Sequence, residues 1–338
     1  MGIDSTDRGA TPVVGNVLLV AVVIVIAIVL VTLSFSFLDN TGAPTAEASF
    51  QYEQTPVGLR MTATAISTDV AVQLNGRSVA TFEGGDAGRS VIVPTAPGDQ
   101  ITVVSRDREK SVLVDKTIDD RDEVGDFIAY YPFEDENETV LFDRSGNGND
   151  GTITGDPVPN GESLAFDGDD YVSVTDFNTP VDRVSEFTVA VTYRTDDADR
   201  KQELIEHKSD DDNWLLELKP CSNGQVPSDR CEDNGYVPVF SVDQAGGTQD
   251  EQIFGNGEQA DTRQTLVGTF NGSGHTLYVD GERARSGTYE GNISMGELNI
   301  GRDVEFDGDY FDGEIYEIRL YYTAFDDQQV RVLTEAMR

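Results

Sequence analysis

The chain has 338 residues, enough for two or three domains with separate cores. Its 62 Asp and Glu against 24 Lys and Arg leave a net charge of −38, which repels polyanions and excludes nucleic acid as a partner. Acidity on this scale also accompanies disorder, but apolar alternation runs through nearly the whole chain, so the acids belong to a folded protein. With only five lysines, the composition is that of a protein from a high-salt organism. There a Debye length of about 3 Å makes such self-repulsion tolerable.

From Val13 to Leu38 there is no charged residue. Those 26 residues form a helix of about 39 Å, against a hydrocarbon core of about 30 Å. The Val/Ile richness would suit a strand in water, but a lone strand in lipid cannot satisfy its backbone. Thr11 is a good N-cap and Pro12 a good first helical residue. Ala46–Ala48 has the small residues of a cleavage site, yet the apolar run is too long for a signal peptide's core of about 7–15 residues. The helix is therefore expected to be retained. The stretch Arg8-Gly9-Ala10-Thr11-Pro12-Val13-Val14-Gly15 resembles the N-terminus of archaeal type IV pilins, in particular haloarchaeal ones. The resemblance implies a leader over residues 1–9, cut by a prepilin peptidase between Gly9 and Ala10. Residues 10–38 then stay as membrane anchor and filament core, with lipid and other pilin subunits as partners. Bacterial pilins usually carry Glu at the fifth mature position; Val14 stands there in this chain. The alternative is a plain N-terminal anchor that happens to carry an Arg-Gly pair.

Residues 47–120 read as strands of a small β-sandwich head. Leu59, Met61, Ala63 and Ala65 alternate with polar residues, and Asn75-Gly76 joins two alternating runs as a hairpin turn. Pro97-Gly98 marks a further turn. This head resembles, more weakly, the short β head of haloarchaeal pilins. Nothing in it suggests chemistry.

The charged segment Asp120–Phe127 separates a second module, residues 127–338. Phe187, Val189, Val191 and Tyr193 fall on one face of a strand, as do Tyr316, Ile318, Leu320 and Tyr322. Asp280-Gly281 turns a hairpin, and Asp326 with Gln329 offers a capping box for a short terminal helix. The motifs "YYPF", "DRSGNGNDG", "LAFDGDDYV", "FTVAVTY", "HTLYVDG" and the closing "IG" through "FDGEIYEIRLYYTA" follow one another in order. They resemble the laminin-G-like, concanavalin-A-like jelly roll. Two departures stand out: Arg263-Gln264-Thr265 replace the family's frequent Trp before the hairpin, and Tyr316-Glu317 stand where an Asp-Glu pair is common. The fold expected is thus mainly β: a transmembrane pilin helix, a small β-sandwich, then a jelly roll with a short C-terminal helix.

Hydrolases on such sandwiches usually place carboxylates in an E-x-D-x-x-E strand, and none is present; Glu314 and Glu317 lack the central Asp. Glu134, Asp135, Glu136 and Glu138 sit in a loop-like stretch, and His207 and His275 are isolated. No enzyme activity is expected. Calcium, a hard cation that favours loop oxygens, is the candidate cofactor, with Asp167, Asp169, Asp170, Asp307 and Asp309 as candidate ligands and Asp303 and Asp312 beside them. In a chain this acidic the competing reading is solvated surface. Trp214, Tyr236 and Tyr310 are candidate sugar-stacking aromatics, competing with plain core packing. Asn137, Asn271 and Asn292 head N-x-S/T sequons. Cys221 and Cys231 fit no metal or CxxC pattern and read either as a disulfide outside the cytoplasm or as free thiols.

The resulting expectation is a membrane-anchored, pilin-like surface protein, N-terminus inside, whose extracellular head binds a glycan or protein. The alternatives are an anchored surface protein that never assembles and a tethered glycan hydrolase.

Overall fold

The computed structural model describes residues 47–337 apart from 108–109, 120–122, 135–138, 176, 180, 182, 210–211, 232–234, 245–249 and 304–308. The leader and helix expected over residues 1–38, together with Asn137 and Asp307, lie outside the described residues. Among the described residues no helix is long and apolar enough to cross a membrane.

The head consists of a three-stranded sheet, in the order Ala48–Thr55, Gly58–Ile66, Ser90–Val93, and a four-stranded sheet, in the order Arg77–Phe82, Val70–Leu74, Gln100–Ser105, Val112–Thr117. Asn75 and Gly76 adopt φ of 51° and 79°, the double left-handed step that this hairpin turn demands and that Asn-Gly tolerates at little cost. Leu59, Met61 and Ala63 point into the core as expected, but Ala65 does not; Ile66 takes the inward position. A register shift between Ser49 and Phe50 inserts one residue and flips the phase there.

The jelly roll has two large sheets. The distal sheet runs Asp250–Phe254, Tyr236–Gln244, Asp212–Pro220, Gln202–Lys208, Glu297–Ile300, Tyr171–Val174, Gly151–Thr154, Val140–Leu141. The proximal sheet runs Val158–Pro159, Leu164–Asp167, Asp312–Tyr321, Phe187–Thr195, Gln264–Phe270, Gly274–Val279, Glu282–Thr288, with Phe127–Tyr131 also pairing to Asp312–Tyr321. Their facing sides enclose one core containing Phe187, Val189, Val191, Tyr193, Trp214, Leu216 and Phe240. Asp280 and Gly281, at φ 50° and 82°, turn the second expected hairpin. Asp326 Oδ1 accepts from the Gln328 and Gln329 N–H groups while Gln329 Oε1 accepts from the Asp326 N–H. This reciprocal cap opens the helix Asp327–Met337.

The expected face Tyr316–Ile318–Leu320–Tyr322 is corrected at its first member. A register shift opposite Thr192 and Tyr193 puts Ile315 into the core and turns Tyr316 outward, under the Arg263 guanidinium at 3.9 Å. The outer side of the proximal sheet is not exposed either. Ala190, Val267, Tyr278 and Tyr321 join the head's Val57, Leu59 and Phe82 and the helix's Val330 and Leu333 in a second continuous core. Head and jelly roll therefore share apolar packing, although each strand pattern reads as that of an independent module.

Cys221 and Cys231 form a disulfide that closes a loop ten residues apart in sequence. In the chain-entropy picture a loop this short contributes about 2.5–3 kcal/mol.

Candidate functional site

Two regions concentrate polar chemistry, both on the distal sheet. The first is the side of that sheet turned away from the core. Alternation along Asp212–Pro220 sends Trp214, Leu216 and Leu218 inward and Glu217 and Lys219 outward, and a register shift between Glu203 and Ile205 lets Glu203 and Glu206 both face outward while Ile205 faces inward. Register places Glu203 directly opposite Glu217, and Glu206 opposite Asn299. Outward does not mean exposed: Glu203 is 0 % and Glu217 1 % accessible, and Glu206, Lys219 and Asn299 are buried too.

Asp303 and Asp309 cover part of these groups. The Glu203 N–H donates to the Asp309 carbonyl at 3.1 Å. Lys201 Nζ lies 3.3 Å from Glu217 Oε2, 3.1 Å from Asp303 Oδ2 and 2.9 Å from Asp309 Oδ2. Lys219 Nζ is 3.0 Å from Glu217 Oε1 and donates to Gln225 Oε1 and Gln252 Oε1. Burial lowers the proton affinity of Lys201, but Glu217, Glu203 and Asp309 more than reverse this, and the net shift is upward. Glu203 is raised well above the usual carboxylate range by desolvation, then by Glu217 and Glu206.

At the rim of the same face, Tyr171 and Tyr310 lie side by side with ring centroids 6.4 Å apart, both partly exposed. Arg302 stacks on Tyr171 at 3.6 Å and reaches Asn299 Oδ1. Of the three candidate stacking aromatics, only Tyr310 is at the surface. Trp214 and Tyr236 are fully buried, which removes them as ligand contacts. Tyr236 instead shares a hydrogen bond with Tyr193, hydroxyl to hydroxyl at 2.9 Å, and donates to Gln264 Oε1; Gln264 Nε2 donates to Glu258 Oε2 at 2.7 Å. Gln264, standing near the family's usual Trp, thus contributes a polar core network in place of an apolar ring.

The second region is the turn before Tyr171. Asp156, Asp169 and Asp170 present carboxylate oxygens within 4.8 Å of one another, the group of three carboxylates among the described residues that could hold a hard cation. Asp156 was missed in the sequence because it lies on a different turn, brought in by pairing of Gly151–Thr154 with Tyr171–Val174. Asp170 is tied down by the Asp156 N–H at 2.8 Å and the Asp167 N–H at 3.1 Å. Asp169 is raised by the hydrogen bond and charge of Asp167, Asp170 by burial against those backbone donors. Asp309 and Asp303 lie apart from this group, bound to Lys201, and Asp312 is bound to Arg200.

The two described sequons are neighbours. Asn271 and Asn292 are exposed, and the Gly291 N–H donates to the Gly272 carbonyl between them. Asn271 Oδ1 caps its own turn by accepting from Ser273 and Gly274.

His207, behind the carboxylate face and beside Trp214, is held neutral: burial lowers it to about 4, partly offset by the Glu297 carbonyl. In the unfolded chain it titrates near 6.5, so the unfolded state binds the extra proton between pH 6.5 and about 4. Stability contributed by neutral His207 is therefore complete above pH 6.5 and lost as pH falls through that window, by up to about 3 kcal/mol. Urea midpoints of the wild type and His207→Gln, followed from pH 7 to pH 4.5, are expected to converge. Parallel curves would show that His207 does not titrate differently on folding.

Residues 166–331 match the family model described as the concanavalin A-like lectin/glucanases superfamily. No curated protein matches the sequence. Among solved structures, domain 4 of AbnA, a GH43 extracellular arabinanase from Geobacillus stearothermophilus in complex with arabinotriose, is 17% identical with a TM-score of 0.46, over 62% of this chain and 98% of that one. The binding domain of botulinum neurotoxin DC in complex with SialylT is 13% identical with a TM-score of 0.49, over 63% of this chain and 51% of that one. The botulinum neurotoxin serotype D binding domain is 12% identical with a TM-score of 0.47, over 62% and 50%. The chain thus spans about half the length of the toxin domains it matches. Two sheets packed around one core make a mainly β jelly-roll fold, and within it residues 166–331 are similar to that family.

Proposed function

We propose that the chain is a membrane-anchored, pilin-like surface protein whose jelly roll binds a surface glycan or protein. The observation that carries the binding role is the rim pair Tyr171 and Tyr310 with Arg302 stacked beside them. Partly exposed rings next to hydrogen-bonding groups offer a sugar or peptide both a flat apolar contact and orienting polar atoms. Support for the anchor comes from the uncharged Val13–Leu38 run and the Arg8–Gly15 motif. The burial of Glu203 and Glu217 supports binding without turnover, since these facing carboxylates are not accessible to a polymer on the surface.

Because head and jelly roll share a core, the soluble piece to test is residues 47–338, not the jelly roll alone. On a glycan and surface-protein array, Tyr310→Ala and Tyr171→Ala are expected to weaken the wild-type ligand by about tenfold or more with unchanged circular dichroism. Undiminished binding by both variants would place the ligand elsewhere. For the anchor, the mature protein from the native membrane is expected to begin at Ala10; an intact Met1 or Gly2 start would overturn processing.

A further inference from the structure

Among the described residues, the carboxylate face of the distal sheet carries more acidic than basic side chains. Glu203, Glu206, Glu217, Asp303 and Asp309 supply five carboxylates. Lys201 and Lys219 supply two ammonium groups, and Arg302, adjacent through Asn299, a third cation. Four of the five acids are buried, and an uncompensated buried carboxylate is among the costliest groups a fold can hold. The excess converges on one side chain. Glu203 is 0 % accessible, yet neither of its carboxylate oxygens accepts a hydrogen bond. Native proteins rarely leave buried polar atoms in this state, and a bound ion is one of the recognised reasons.

The neighbours of Glu203 define the direction in which it points. Glu217 stands opposite it across the strand pair, and its two oxygens meet Lys201 and Lys219 by charge alone, without hydrogen-bond geometry. Glu206, Lys201 and Asp303 are its other electrostatic neighbours. Cross-strand neighbours have Cβ atoms about 4.5–5.5 Å apart, a span that two glutamates can close around a single hard cation. We propose that Glu203 and Glu217 bind a hard divalent cation on the covered outward side of the distal sheet. Such an ion neutralises the excess charge beside Lys201, the residue that also binds Asp303 and Asp309 next to Arg302 and Tyr310.

The site differs from Asp156, Asp169 and Asp170, whose buried member is already satisfied by backbone N–H groups. The two are separable by mutation. Full-length protein in detergent, stripped with EDTA, is titrated calorimetrically with CaCl2 and with MgCl2, alongside Glu203→Gln and Asp169→Asn. Glu203→Gln keeps the shape and removes only the charge at a side chain with no hydrogen bonds to lose. The expected result is one cation bound by the wild type and by Asp169→Asn, and loss of that event, or weakening by about tenfold or more, in Glu203→Gln. The apparent Tm is expected to rise with metal in the first two proteins and to stay flat in the third. Identical titrations for wild type and Glu203→Gln, no cation bound at all, or loss confined to Asp169→Asn would each overturn the proposal.

Discussion

Replacing Arg319 by methionine is expected to cost about 3–5 kcal/mol, the largest single polar effect in the protein. Arg319 is 1 % exposed at the junction of head and jelly roll. Its Nε donates to Glu317 Oε1 at 2.6 Å, and its NH1 donates to the Pro94 carbonyl at 3.0 Å and lies 4.0 Å from Asp99 Oδ2. Methionine fills much of the volume but leaves Glu317 without a counter-charge. Burial already raises the proton affinity of Glu317, and Arg319 is what opposes that shift. The double variant Arg319→Met/Glu317→Gln is expected to recover a substantial part of the loss, because removing both charges removes the stranded one. Urea unfolding of residues 47–338 measures both. A loss below about 1 kcal/mol in the single variant, or no recovery in the double, would mean that the junction does not depend on this pair. Since Arg319 belongs to the jelly roll and Pro94 to the head, the wild type should also unfold in one transition, and separate transitions would contradict the shared core.

Truncating Trp214 to alanine is expected to lose about 3–5 kcal/mol. The indole is fully buried, 5.1 Å from the Phe187 ring and 6.0 Å from His207, near the start of Asp212–Pro220. Its removal empties the middle of the jelly-roll core, where two hydrogen-bonded sheets cannot collapse inward to refill the space. Trp214→Phe should cost clearly less, since Phe retains most of the ring contact. As Trp214 is the sole tryptophan, wild-type unfolding should red-shift the emission maximum, while circular dichroism follows the variants. Binding lost by Trp214→Ala at unchanged stability would instead return this residue to the surface role that its sequence context allowed.

Much of the fold was legible because its signals are local. The two left-handed turns at Asn75-Gly76 and Asp280-Gly281, the Asp326–Gln329 cap and the alternation of Phe187 to Tyr193 each need only a few consecutive residues, and all appear as expected. The strand-face readings that failed did so where an extra residue enters a strand. Ala65 and Tyr316 both follow register shifts, and a one-residue slip exchanges the two faces while leaving composition unchanged.

What the sequence alone determined is part of the strand set, the two hairpin turns, the helix cap and the net charge, because propensity, periodicity and turn chemistry act over neighbouring residues. The tertiary structure decided which surfaces vanish and which side chains meet. It buried Ala190 and Arg319 under the head, drew Asp156 to Asp169 and Asp170, sent Trp214 and Tyr236 inward, and set Glu203 against Glu217 across a strand pair. Those outcomes depend on sheet register and on packing between segments far apart in the chain, where no short stretch of residues bears the signal.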